Sequence, residues 1–229
     1  MTPPRGPLKN QALAVLKSRG VPVETVLDVG VNTVTPELLA AFPDRHHVLF
    51  EPVEEYADDI RRHYARVSHE RVCAAVSDTT GTVTLKTASK LQGQGISHSG
   101  MVAGPATPDP DTRSVPMLRL DDFVRERQLR GPFLLKIDID GHEMKVLRGA
   151  AETLKACSVV IVECPHFSLP ERLSHLMKAG FRLFDLVEPC YYDKVFWQCD
   201  AIFLREDLFA QKFQALGAQV VPGLYEMYR

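Results

Sequence analysis

The run "KIDIDGHE", Lys136 to Glu143, puts one amine, three carboxylates and one imidazole within eight residues. The apolar run "FLLKIDI" leads into it, broken only by Lys136 and Asp138, and reads as a buried strand. Side chains alternate along a strand, so Lys136 and Asp138 share a face, and Asp140 continues that side where the strand ends. Groups of this kind suit a reaction in which a proton is removed by a general base or with the help of a metal. Asp138 and His142 are the candidate catalytic groups, Asp138 being best placed at the strand end. Glu163 closes the neighbouring strand "SVVIVEC", and with Asp138 it could share a hard divalent cation such as Mg²⁺. A structural reading stands beside each of these. Lys136 and Asp138 would serve as an ion-paired sheet end, and His142 as a helix-start residue with local contacts only.

A second constellation lies upstream. "LDVGVN" ends an apolar run in an acid and a glycine, and Glu51 follows 21 residues after Gly30, at the end of the strand "HVLFEP". An acidic side chain there can accept hydrogen bonds from two ribose hydroxyls. Asn32 tolerates left-handed backbone conformations. The full G-x-G-x-x-G turn is missing, with Val34 at the position of its second glycine. A pyrophosphate needs that whole turn. A nucleoside cofactor without phosphates needs less of it, which favours S-adenosylmethionine over NAD.

Several elements must position these groups. Leu8 to Arg19 carries Leu8, Ala12, Val15 and Leu16 at helical spacing and closes at Gly20. "TVLDVG" reads as the first strand, then a short helix with Thr35 as cap and Pro36 at its first position, ending by Pro43. "HVLFEP" is the second strand, and Tyr56, Ile60 and Tyr64 mark one face of the next helix. "RVCAAVSD" reads as a third strand, "TVTLKT" as an added strand and "SVPMLRL" as another, leading into a helix from Asp121. A helix after "KIDIDGHE" carries Met144, Leu147, Ala151 and Leu154 on one face. "ERLSHLMKAG" is the last helix read, and "RLFDLV" and "WQCDAIFLR" are two closing strands. Strands alternating with helices predict a mostly parallel sheet covered on both faces. The helix-free link between the last two strands predicts an antiparallel final strand, a reversed element at the sheet edge.

In such a sheet, ligands bind beyond the carboxyl ends of the strands. The strand-end candidates are Asp28, Gly30, Glu51, Ser77, Asp78, Asp138 and Glu163. Residues 87–114 hold four glycines and three prolines with no periodicity, and read as an inserted flexible loop or lid over the acceptor. Gly93, Gly95, Gly100 and Gly104 would be its hinges, with Ile96, Met101 and Val102 as apolar contacts for closure. Tyr191, Tyr192, Phe196 and Trp197 are read as core aromatics, with stacking on a substrate as the alternative.

With 229 residues, 45% hydrophobic and 24% charged, the chain suits one globular domain over 1–229, in which 7–22 form an N-terminal helix and lead-in. A net charge of -2 and a pI near 6.4 give no basic signature for nucleic acid, and no apolar run approaches a membrane span. "MTPPRGPLKN" has no signal-peptide core. Five cysteines without paired spacing, most of them in apolar runs, read as structural thiols of a reducing cytoplasm.

The blocks "LDVGVN", "FEP", "AAVSD" followed by "GTVTL", "LDDF", "LKIDIDGHEMKVLRGA" and "VIVE" stand in an order that resembles the FkbM family of S-adenosylmethionine-dependent methyltransferases. The resemblance runs from about residue 24 to 187. It implies a class I methyltransferase fold, Rossmann-like, with a seven-stranded sheet, and O-methylation of a hydroxyl on a small molecule, sugar or glycan. By position it implies that Asp28, Gly30 and Asn32, with Val31 and Thr33, line the methionine and ribose end. Glu51, with Pro52 beside it, would hold the ribose, Val76 and Ser77 would flank the adenine, and Asp138 would face the cofactor. Val34 stands where family members usually have glycine and Asp140 where glutamate is common, so Val34 could narrow the loop beside the methionine carboxylate. The expected partners are a small-molecule or glycan acceptor and a second copy of the chain, with neither nucleic acid nor membrane. A cofactor-binding or scaffold protein without catalysis is the alternative, and a dehydrogenase the weaker rival.

Overall fold

The computed structural model describes residues 6–88, 98–102, 111–214 and 224. The first third of the chain alternates helix and strand: Lys9–Ser18 (α1), Thr25–Val29 (β1), Pro36–Ala41 (α2), His46–Phe50 (β2), a 3₁₀ turn Glu54–Tyr56, and Ala57–His63 (α3). Strands then dominate: His69–Val72 (β3), Ala75–Ser77 (β4), Gly81–Ala88 (β5), His98–Val102 (β6) and Thr112–Arg119 (β7), before Leu120–Glu126 (α4). Alternation returns with Phe133–Ile137 (β8), Glu143–Gly149 (α5), Ala151–Lys155 (α6), Cys157–Pro165 (β9) and Leu169–Lys178 (α7). A long pair, Phe181–Tyr192 (β10) and Val195–Arg205 (β11), precedes Glu206–Lys212 (α8).

Seven strands form the main sheet in the order β10-β11-β9-β8-β1-β2-β3. All neighbours are parallel except β11, which runs antiparallel to both β9 and β10. The expected antiparallel final strand is therefore present, but inside the sheet; the edge position belongs to β10. Period-two alternation divides the side chains between two cores. Leu27, Val29, Leu135 and Ile137 face α4, α5, α6 and α7 through Phe123, Leu147, Leu154 and Leu176. Val26, Leu134, Val159 and Ile202 face α1, α2 and α8 through Leu13, Leu38 and Leu208. Helices thus cover both faces, as a parallel sheet requires. Among the described residues no helix is long and apolar enough to cross a membrane.

Several expectations are corrected. "RVCAAVSD" is two strands: β3 extends the main sheet beside β2, whereas β4 pairs with β7 in a second sheet of order β4-β7-β5-β6. The segment 87–114 is not a continuous loop. β5 reaches Ala88, His98–Val102 pairs antiparallel with it, and β7 begins at Thr112. Its hinge candidates Gly93, Gly95 and Gly104 and the contact Ile96 lie outside the described residues, while Gly100, Met101 and Val102 belong to β6. Arg113 is anchored, donating from Nη1 to both Glu55 oxygens at 2.8 and 2.6 Å. Thr35 precedes α2, but no side-chain cap bond forms; its backbone N–H instead donates to Tyr64 Oη at 3.2 Å.

The helix after "KIDIDGHE" breaks at Ala150, which leaves Ala151 exposed. The break has a partner. Buried Asp121 of α4 accepts from the Thr153 N–H and hydroxyl, both at 2.8 Å, and from the Glu152 N–H at 3.1 Å, satisfying donors that open α6. Tyr191 and Tyr192 are exposed rather than core, and Trp197 is only partly covered.

One close approach fixes the ends of the central strands. Gly30 follows β1 at φ +84°, and a Cβ there would lie 1.8 Å from the Asp138 carbonyl oxygen. Gly30→Ala combines an unfavourable φ with a backbone clash, so it is expected to cost about 2–6 kcal/mol of stability. Chemical denaturation of the purified variant measures that loss; a variant as stable as the parent would contradict the packing described.

Candidate functional site

The carboxyl ends of β1, β2, β8 and β9 open into a cavity of about 660 Å³. Gly30, Asn32, Glu51, Pro52, Val76, Asp138 and Glu163 all line it, so the structure brings together most of the strand-end candidates. The turn after β1 explains why. Asn32 adopts φ +55°, and its backbone N–H donates to Glu51 Oε2 at 2.8 Å, while the Val53 N–H donates to Glu51 Oε1 at 2.9 Å. Two loops are thereby tied to one carboxylate. Glu51 is almost fully buried, and that desolvation raises its pKa to about 7 against the pull of the two N–H donors, Lys136 and Arg71.

Lys136 holds the floor. It is buried, donates from Nζ to the Gly30 carbonyl at 2.5 Å, and lies 3.2 Å from Asp28 Oδ1 and 3.5 Å from Asp138 Oδ2. Burial alone would lower its pKa, but the Asp28 and Asp138 charges override it and the net shift is upward. The ion-paired reading of Lys136 and Asp138 is therefore correct, yet Asp138 keeps 42% of its side chain exposed and still faces the cavity.

Other candidates stand elsewhere. Asp28 is completely buried beneath the turn against Lys136 and does not line the cavity. Val31 packs with Leu49 and Ile60, and Thr33 does not reach the cavity wall. Ser77 is buried under α5, where Gly149 lets the backbones meet; a Cβ on Gly149 would lie 2.1 Å from the Ser77 carbonyl. His142 precedes α5 without capping it and lies outside the cavity lining; burial first, then Lys145, lowers its pKa. Val34 packs against the same cluster as Val31, so its side chain is part of a core and does not narrow the cavity.

Glu163 accepts from Gln198 Nε2 at 2.5 Å, and its pKa is raised to about 8 by desolvation first, then by the charges of Asp138, Glu143, Asp140 and Asp200. Among the described residues no three His, Cys, Asp or Glu side chains gather as a metal site. The Asp138–Glu163 pair has no third His, Cys, Asp or Glu ligand grouped with it among the described residues. The residues present do not fit Mg²⁺. The cavity also recruits Tyr56 of the 3₁₀ turn, Leu85 of β5, Phe167 after β9, and Trp197 and Gln198 of β11. Of these only Trp197 carried a sequence signal, as an aromatic able to stack.

The Glu163 shift has a stability consequence. The folded state keeps this proton above the ordinary carboxyl pKa of 4.5, so its contribution is fully present below about pH 4.5 and is lost as pH rises through about 8. Glu163→Gln, which cannot ionise, should therefore unfold at nearly the parental temperature at pH 5 and at a higher one at pH 9. Thermal scans across that range check it; parallel curves would contradict the shift.

A family model for the methyltransferase FkbM domain matches residues 28–183, more than half of the chain. No curated protein matches it. Among solved structures, the METTL16 methyltransferase domain is similar at 10% identity and a TM-score of 0.50, over 85% of this chain and 64% of that one. Precorrin-6y C5,15-methyltransferase from Geobacter metallireducens is similar at 12% identity and 0.46, over 86% of each chain. An rRNA methylase from Streptococcus thermophilus is similar at 9% and 0.48, over 85% and 93%. At such identities the likeness is one of fold. The family match rests on the segment that carries both Glu51 and the "KIDIDGHE" block: the chain belongs to the FkbM family of S-adenosylmethionine-dependent methyltransferases.

Proposed function

We propose that the protein transfers a methyl group from S-adenosylmethionine to a hydroxyl of a small molecule, sugar or natural product. The observation that carries this reading is the convergence of Glu51, the Gly30–Asn32 turn and Asp138 on one cavity. Glu51 spends one acceptor site of each oxygen on Asn32 and Val53. A carboxylate offers about four such sites, so capacity remains for two ribose hydroxyls. Pro52 and Val76 give the adenine an apolar seat. The short turn with Val31 and Val34 packed inward suits a nucleoside without a pyrophosphate. The cofactor supplies the electrophilic methyl group.

The chain's own task is alignment and proton removal. Fixing a nucleophile in line with its target is worth about 7–11 kcal/mol in well-oriented systems. Asp138 takes the role of base, because its carboxylate reaches the cavity while Lys136 holds it in place. A general base contributes about 10²–10⁴ in rate. The non-catalytic scaffold reading loses its motive, since Val34 does not enter the cavity.

Calorimetry should show S-adenosylmethionine and S-adenosylhomocysteine binding and NAD failing to bind. Glu51→Ala should weaken binding by roughly 10- to 150-fold, the loss of hydrogen bonds worth about 1.5–3 kcal/mol. Because Glu51 must ionise to accept fully, parental affinity should rise between pH 6 and pH 8 around its pKa of about 7, whereas Glu51→Gln should show no such rise. An unchanged dissociation constant in folded Glu51→Ala would remove the ribose assignment. Label from methyl-labelled cofactor should enter hydroxylated acceptors as an alkali-stable ether. Alkali-labile product would indicate a carboxyl acceptor instead.

A further inference from the structure

The cavity is longer than its cofactor end. Glu51 ends β2, whereas Trp197 and Gln198 belong to β11, four strands away across β1, β8 and β9. Strands lie about 4.8 Å apart, so these ends are separated by roughly 19 Å. A nucleoside seated on Glu51 leaves the far end open. That end is apolar on its wall and polar at its base. Phe167 and Trp197 are 69% and 40% exposed although both line the cavity. Their ring centroids lie 6.2 Å apart with planes at 66°, forming a corner whose Trp197 ring also meets the rings of His166 and Tyr192.

The corner is rigidly held. The His166 N–H donates to the Trp197 carbonyl at 2.8 Å, and the His166 ring meets the Trp197 ring edge-on at 5.5 Å. Gln198 pairs in register with Pro165, and its amide bonds Glu163 at the base of the wall. Electrostatics narrows the choice of ligand. The ionisable carboxyl groups lining the cavity are Glu51, Asp138, Asp140 and Glu163, and no Lys, Arg or His is among the lining residues described. Lys136 lies behind Asp138, buried in the sheet. A phosphate or carboxylate entering here would meet four acidic side chains, with the His166 ring behind the aromatic corner as the basic group beside them.

We propose that Phe167 and Trp197, with Glu163 and Gln198 at their base, form the acceptor subsite, and that it takes an uncharged ring bearing a hydroxyl and rejects anionic acceptors. This rests on the methyltransferase reading above but assigns residues that reading does not use. The rings supply the face on which an alicyclic or aromatic ring packs. The Gln198 amide and the Glu163 carboxyl supply hydrogen bonds to the hydroxyl, and Glu163 retains its proton near neutral pH, so it donates as well as accepts. Two of the four residues, Trp197 and Gln198, lie beyond the family match at 28–183, where a chain-specific acceptor preference can be encoded.

Trp197 is the single tryptophan of the chain, so its fluorescence reports on this corner alone. The intact protein, with and without S-adenosylhomocysteine, is titrated with three transparent, near-isosteric probes: cyclohexylmethanol, cyclohexanecarboxylate and cyclohexylmethylamine as its ammonium ion. Cyclohexylmethanol should change the emission saturably, with cyclohexanecarboxylate at least about tenfold weaker. Phe167→Ala, a substitution at an exposed side chain, should weaken the alcohol about fivefold and leave S-adenosylhomocysteine affinity by calorimetry unchanged. Carboxylate binding as tight as the alcohol, or ammonium binding more than tenfold tighter, overturns the uncharged assignment. No saturable response to any probe in protein that binds S-adenosylhomocysteine overturns the subsite and leaves the methyltransferase reading standing. Loss of S-adenosylhomocysteine binding in the parent protein would strike that earlier reading instead.

Discussion

A single buried ammonium organises the centre of this molecule. Lys136 bonds the Gly30 carbonyl and lies between Asp28 and Asp138, so the end of β1, the turn after it and the end of β8 are held by one charge. Burying such a charge is costly unless it is paired and hydrogen-bonded. Asp28, fully buried, pairs with Lys136 as an ion at 3.2 Å, although neither of its carboxylate oxygens has a hydrogen-bond partner. Gly30 completes the arrangement, because only a residue without a Cβ can pass so near the Asp138 carbonyl. The result places Asp138 at the cavity with its backbone N–H donating to Val29 at 3.0 Å.

This constraint extends along one face of the sheet. Lys136, Asp138, Glu163 and Asp200 fall on the same side by strand alternation, the side covered by α1, α2 and α8. Asp200 has its own counter-ion, Lys9 of α1, at 2.6 Å. The N-terminal helix is thus more than a cover. The Lys9 N–H also donates to Glu188 Oε1 at 2.8 Å, and the Glu188 N–H donates to the Pro7 carbonyl at 2.8 Å. These contacts clasp the irregular stretch of β10 to the helix and so steady the β10–β11 pair that carries Trp197 and Gln198.

The cavity is acidic because of where its groups come from. Strand ends in a parallel sheet supply side chains in rows, and here three rows end in Glu51, Asp138 and Glu163. Asp138 is ion-paired with Lys136 at 3.5 Å; at Glu51 desolvation outweighs Lys136 and Arg71, at Glu163 it adds to neighbouring carboxylates, and both are driven toward the neutral form. The three carboxyl groups therefore differ in chemistry despite similar positions. One is an ion-paired carboxylate, one is poised near neutrality beside two N–H donors, and one holds its proton beside an amide.

Much of this was legible in the sequence. Alternation in "FLLKIDI" placed Lys136 and Asp138 on one face, the interval from Gly30 to Glu51 brought both to one edge, and apolar runs separated by helices required a parallel sheet covered on both sides. These are local properties, set by the period of a strand and the length of a crossover. Tertiary structure decided the rest. "RVCAAVSD" divides because its two halves find different distant partners, β2 and β7, which no local pattern specifies. The helix after His142 breaks where Asp121, some thirty residues earlier, satisfies the N–H groups of α6. Val31 turns inward and Trp197 turns toward the cavity for the same kind of reason. The direction a side chain takes beyond a strand end depends on which elements pack there, and β11 reaches the cavity because it pairs between β9 and β10.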